Sequence, residues 1–158
     1  MPDGTIRTPA FTHGEPIPEK YTCEGEDVSP ELTIADVPDD AAALAVVVDD
    51  PDAPAGTFTH WLLWNVPADT VEIPEGIDRL EEVTELDGAS QGENDFGEVG
   101  YRGPCPPEGD APHEYRFTLY VLDEELAVEA GAPRPDVQDE LDAKTRDSDQ
   151  FTGTFARS

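Results

Sequence analysis

The stretch Leu44-Ala45-Val46-Val47-Val48-Asp49-Asp50-Pro51-Asp52-Ala53-Pro54-Ala55-Gly56-Thr57-Phe58-Thr59-His60-Trp61-Leu62-Leu63-Trp64-Asn65-Val66 decides the fold. Two nearly continuous apolar runs, 44–48 and 60–66, flank a short polar loop. Runs of this kind are strands covered on both faces. Pro51 and Pro54 fix φ at two points, so the loop is stiff. The Ala53–Pro54 bond is a candidate cis peptide. Aspartate before proline is also an ordinary turn signal. His60 opens the second run, and strict alternation puts it on the face of Leu62 and Trp64. Asp50 and His60 are therefore expected to flank one loop mouth.

A second stretch works in the same way. Gly100-Tyr101-Arg102-Gly103-Pro104-Cys105-Pro106-Pro107 leads to His113-Glu114-Tyr115. Prolines 104, 106 and 107 have no N–H, so Gly103 and Cys105 hold the donors that such a loop can aim at a ligand. The strand Tyr115–Leu122 alternates, with Tyr115, Phe117, Leu119 and Val121 on one side. His113 and Tyr115 share a face. Further strands are expected at Leu32–Ile34, Phe11–His13 and Phe151–Phe155. Pro135, the early acids Asp136 and Asp139, and Lys144 and Arg146 at the far end mark a helix over Asp136–Lys144. A second short helix is expected from Asp123. The acidic region Val71–Val99 reads as a long loop with one short strand. With 16 prolines and 13 glycines in 158 residues, short strands and ordered loops are favoured over a helical bundle. The length suits one domain, residues 1–158.

Charge excludes several functions. Asp and Glu number 37 against 9 Lys and Arg, a net charge of −28. Such a chain repels nucleic acid and anionic membrane surfaces. The acids are interspersed with well-formed strand patterns, so the reading is a folded domain with an acidic shell. Self-repulsion makes that fold salt-dependent, because molar salt shortens the screening length to about 3 Å. No apolar run reaches the roughly 18 residues of a membrane span. Met1–Phe11 shows no secretory pattern, and a cytoplasmic location is expected. Cys23 and Cys105 have no metal-ligand spacing. In a cytosolic protein two reduced thiols are the expectation, with a bridge as the alternative. No motif calls for a cofactor.

Two imidazoles, a phenol and backbone N–H groups make a cradle for a phosphate or carboxylate. In this scheme His60, His113 and Tyr115 donate to the anion, and Asp50 orients an imidazole through its other nitrogen. Asp50, His60 and His113 also fit a two-histidine, one-carboxylate metal site, which would make a metal-dependent enzyme. No HExxH spacing supports that alternative. No Gly-x-Ser-x-Gly motif points to a serine hydrolase. His13 has no motif around it and reads as structural.

Asp-Pro-Asp-Ala-Pro at 50–54, His60-Trp61, and Gly-Pro-Cys-Pro-Pro with His-x-Tyr-x-Phe-x-x-Tyr over 103–120 resemble the phosphatidylethanolamine-binding protein family. The resemblance is to its YbhB/YbcL-type, Raf kinase inhibitor-like branch. Tyr21–Gly25 and Val28–Leu32 resemble a further family segment. The resemblance implies a mainly β fold, in which a large antiparallel sheet packs on a smaller one beside one or two short helices. It also implies an anion pocket at one end. Asp50, His60, His113 and Tyr115 match the family's pocket residues, and Cys105 matches a position that contacts the anion through its backbone. The expected function is non-enzymatic binding of a small phosphate- or carboxylate-bearing molecule. The alternative is an inhibitor that docks a kinase or serine protease on the same rim. The resemblance also allows a homodimer.

Overall fold

The computed structural model describes residues 4–54 and 56–157. In chain order its elements are β1 (Thr5–Arg7), β2 (Leu32–Ala35), β3 (Ala43–Asp50), β4 (Phe58–Val66), β5 (Glu72–Ile73), β6 (Glu82–Val83), β7 (Ala89–Gln91), β8 (His113–Leu122), α1 (Arg134–Lys144) and β9 (Thr145–Phe155). Single 3-10 turns lie at Glu19–Tyr21 and Thr84–Leu86. The strands form two antiparallel sheets, β1-β2-β5 and β6-β7-β4-β3-β8-β9. The mainly β architecture expected from the sequence is thus present, with a large sheet, a small sheet and one α-helix.

The apolar runs fall at the centre of the large sheet because both of its faces are covered. Leu44, Val46, Val48, Trp61, Leu63, Phe117 and Leu119 face the small sheet and pack with Ile6, Leu32 and Ile34. Ala43, Ala45, Val47, Leu62 and Trp64 face Val137 and Leu141 of α1. Each large side chain so buried contributes roughly 1.5–3 kcal/mol. Phe117 and Phe151 stack with centroids 4.8 Å apart, and Phe11 leans on both.

β4 does not alternate strictly. Leu44 pairs with Val66 but Val46 pairs with Leu63; Val48 pairs with Trp61 but Asp49 pairs with Thr59. At each step β4 holds one residue more than β3, which is a β-bulge. Asn65, with φ +57°, lies in the first bulge. His60 lies in the second. The second bulge places His60 and Trp61 on the same side, toward the small sheet. His60 therefore does not share the face of Leu62 and Trp64, as strict alternation had implied.

The structure moves other boundaries too. The helix begins at Arg134, with Pro135 inside its first turn, where a missing N–H costs no hydrogen bond. Arg146 lies beyond it, in β9. No helix forms at Asp123, whose N–H instead donates to the Lys144 carbonyl at 2.9 Å. Phe11–His13 is not a strand; it packs by its side chains, and His13 Nδ1 accepts the Thr152 N–H at 3.0 Å. Region 71–99 holds three short strands rather than one. Buried Gln91 pins that region by accepting from Trp61 Nε1 at 2.6 Å and donating to the carbonyls of Asp78 and Leu80. No cis peptide occurs among the described residues, Ala53–Pro54 included. No helix among them is long and apolar enough to cross a membrane.

Candidate functional site

At one end of the large sheet, β3 runs out at Asp50, β4 enters at Phe58 and β8 begins at His113. Side chains from these three strand ends surround a cavity of about 180 Å³. Asp50, Phe58, His60, His113 and Tyr115 line it from the sheet, and Ala53, Pro54, Phe96, Cys105, Pro106 and Pro107 line it from the loops. All five residues singled out from the sequence meet here. The register dictates this: Asp50 pairs with Phe58, Val48 with Phe117, and β8 alternates back through Tyr115 to His113.

His113 is held from both sides. Its Nδ1 lies 2.7 Å from Asp50 Oδ2, across 63 positions of sequence, and its Nε2 lies 3.2 Å from Asp110 Oδ2. Burial pulls the His113 pKa down, but hydrogen bonds to the two carboxylates outweigh it, and the net shift is upward. Asp50 is itself fixed, since its Oδ1 accepts the Asp52 N–H at 2.8 Å. Tyr115 stacks beside His113 with centroids 6.3 Å apart. Burial, and then the Asp50 charge, raise the Tyr115 pKa far above the ordinary phenol value, so its hydroxyl keeps its proton.

His60 sits on the other side of Tyr115, 5.4 Å between ring centroids, wedged between Phe58 and Phe96. Its Nδ1 lies 2.8 Å from the Arg102 carbonyl, which can only accept, so Nδ1 carries the proton. Burial lowers the His60 pKa, with the Arg102 contact and nearby carboxylates opposing. The neutral ring is left with Nε2 as an acceptor. This differs from the donor role expected from sequence, and the cause is the Arg102 carbonyl.

The second proline loop is tied down covalently. Cys23 and Cys105 form a disulfide with Cα atoms 5.4 Å apart, where two free thiols had been expected. The fold places Tyr21–Cys23 beside Gly103–Cys105: Cys23 N–H donates to the Pro104 carbonyl at 3.1 Å and Tyr101 Oη to the Tyr21 carbonyl at 2.7 Å. A Cβ at Gly103 would lie 2.0 Å from the Tyr21 oxygen, so only glycine fits there. The bridge removes the cysteines as an argument for a reducing compartment. Gly103 N–H donates to Asp27 Oδ1 at 2.6 Å and is no ligand donor.

Sequence reading missed Phe58, Phe96 and Asp110. Phe96 was hidden in a region read as acidic loop, and Asp110 looked like one more surface acid. Three residues before His113, within reach of its ring, was the one signal for Asp110. The two-histidine, one-carboxylate metal centre is not formed. Asp50 and His113 bond each other, His60 turns Nδ1 to a carbonyl, and no three His, Cys, Asp or Glu among the described residues are arranged to hold a metal ion.

The family model for phosphatidylethanolamine-binding protein matches residues 7–156. The chain belongs to that family. A UPF0098 protein of Pyrococcus abyssi is 46% identical over 147 residues, covering 93% of this chain and 82% of the relative. The crystal structure of Escherichia coli YbcL, described as a member of the mammalian PEBP family, superimposes with a TM-score of 0.91 at 32% identity, over 99% of both chains. Carboxypeptidase Y inhibitor, solved in complex with its cognate proteinase, matches with a TM-score of 0.57 at 16% identity, over 99% of this chain and 85% of the inhibitor; this likeness concerns the fold alone.

Proposed function

We propose that this PEBP-family chain is a non-enzymatic binding protein whose pocket takes a small molecule with a phosphate or carboxylate group. One observation carries the reading: an imidazole whose pKa is raised lies beside a phenol that keeps its proton, in a cavity walled by two proline loops. His113 and Tyr115 supply donors. His60 Nε2 accepts, which suits a ligand oxygen that still bears a proton, as a monoanionic phosphate does. Asp50 positions His113. Prolines restrict φ in both loops before binding, which lowers the ordering entropy that opposes it. The reading needs no chemical step, because Asp50 is bonded to His113 and the neighbouring hydroxyl stays protonated.

Calorimetric titration with inorganic phosphate and with phosphoethanolamine tests this. The native protein is expected to bind, and His113→Ala to lose about tenfold or more in affinity, equivalent to roughly 1.4 kcal/mol. Equal binding by the two refutes the role of His113.

A second reading places a protein on the same rim. Phe96, 40% exposed at the pocket mouth, favours it, since a large apolar side chain in that position suits a partner surface. The proteinase complex of carboxypeptidase Y inhibitor belongs to that protein. For this chain the test is direct inhibition of a serine protease and of a protein kinase, with Phe96→Ser as the control.

A further inference from the structure

The bond on the outer nitrogen of His113 opposes the function just proposed. An anion that reaches His113 would take a hydrogen bond from Nε2. That place is filled by Asp110 Oδ2 at 3.2 Å. The other nitrogen is committed to Asp50. The chain brings Asp110 there by a turn: its N–H donates to the Pro107 carbonyl at 3.3 Å and Gly109 takes φ +87°. Pro106, Pro107 and Pro112 limit the freedom of the surrounding loop. The Asp110 side chain is 42% exposed, whereas that of Asp50 is 5% exposed. One carboxylate is thus locked in place, and the other can return to water.

Resting on the anion-binding reading of this pocket, we propose that Asp110 is a built-in competitor for the ligand's seat. It takes the ligand's place on His113 and must swing outward before an anion binds there. A carboxylate tethered three residues away acts at an effective concentration on the order of millimolar or higher. A single weak carboxylate contact therefore gains little by displacing it. A ligand succeeds when it also engages Tyr115 and His60, and in this way Asp110 selects for phosphate-like groups that make several contacts at once. Other acids nearby do not share the role. Asp52 accepts the Glu114 N–H at 3.0 Å, Glu108 pairs with Arg157 at 3.2 Å, and Glu114 is exposed on the opposite face of β8.

The test is calorimetric titration of inorganic phosphate into the native protein, Asp110→Ala, Asp110→Asn and Glu114→Ala, each verified as folded by circular dichroism. Glu114→Ala removes the same charge one residue from His113 without touching the seat. The expected result is binding about tenfold tighter for Asp110→Ala, a smaller gain for Asp110→Asn, and a change within about twofold for Glu114→Ala. Measurable but equal affinity in the native protein and Asp110→Ala overturns the competitor role and leaves the pocket reading standing. An equal gain in Glu114→Ala also overturns it, since general charge relief then accounts for the effect. Absence of phosphate binding in all four proteins overturns the pocket reading itself, and the competitor with it.

Discussion

Asp49 and Asp50 are adjacent on β3 and almost equally buried, 4% and 3% exposed, yet they serve opposite faces of the sheet. Asp49 points toward α1, where Arg116 Nε donates to it at 2.8 Å and Arg134 at 3.2 Å, while Arg134 also donates to Thr59. Asp50 points into the pocket and meets the His113 imidazole. A guanidinium keeps its charge at every ordinary pH, and an imidazole does not. The same residue type at the same depth is a fixed brace on one face and part of a responsive site on the other. The partner decides which.

The largest expected effect separates the two faces covalently. The Cys23–Cys105 bridge spans 82 positions and anchors a loop of the pocket, away from Asp49 and its arginines. Reduction should lower folding stability by about 2–5 kcal/mol and weaken phosphate binding, as read by denaturation and calorimetry with and without reductant. The Asp49→Asn variant should lose the same further amount on reduction, because the two features are independent.

Next comes the pair of aspartates. Asp49→Asn should cost about 1–3 kcal/mol, discounted because Arg116 is a third exposed. Its phosphate affinity should stay within about twofold of native. Asp50→Asn should instead lose about tenfold in phosphate affinity. If Asp49→Asn abolishes binding, the division between the faces fails.

The pH profile gives a smaller, signed difference. The folded pKa of His113 is raised, so its contribution is complete below about pH 6.5 and is lost as pH rises through the folded value. The folded pKa of His60 is depressed by burial, so its contribution is present above about pH 6.5 and is lost as pH falls toward the folded value. Denaturation midpoints between pH 5 and 9 should fall on both sides in native protein. His113→Ala should flatten the alkaline side, whereas Asp49→Asn should shift the whole curve without changing its shape.

Salt gives the smallest change in the comparison. With a net charge of −28, the melting temperature should rise between low and molar KCl as surface repulsion is screened. The gap between native protein and Asp49→Asn should change by less than about 0.5 kcal/mol, because buried pairs are screened less than exposed ones.

Much of the fold and of the site is legible in the sequence. β3 and β4 stand out because strands buried on both faces need apolar side chains at nearly every position, and β8 because its apolar residues alternate. Asp50, His60, His113 and Tyr115 stand out because prolines and strand starts fix where they lie. β9 was read only from Phe151, since its first half pairs with β8 through polar residues that carry no apolar signal. The partnership of Cys23 with Cys105 depends on how the Tyr21–Cys23 segment docks against Gly103, which no local pattern encodes. Asp110 is hard to read for another reason: among 37 acids it is marked only by its place three residues before His113, and a turn decides where it points.

The extra residue of the second bulge in β4 has a genetic corollary. Loss of the Thr59 codon would restore one-to-one pairing between the end of β3 and the start of β4. His60 would then pair with Asp49 and turn its ring to the opposite face, and the hollow would be left without one wall. Such a deletion should yield a protein that still assembles its sheets and is deaf to phosphate, although every side chain that lines the pocket is still present in its sequence.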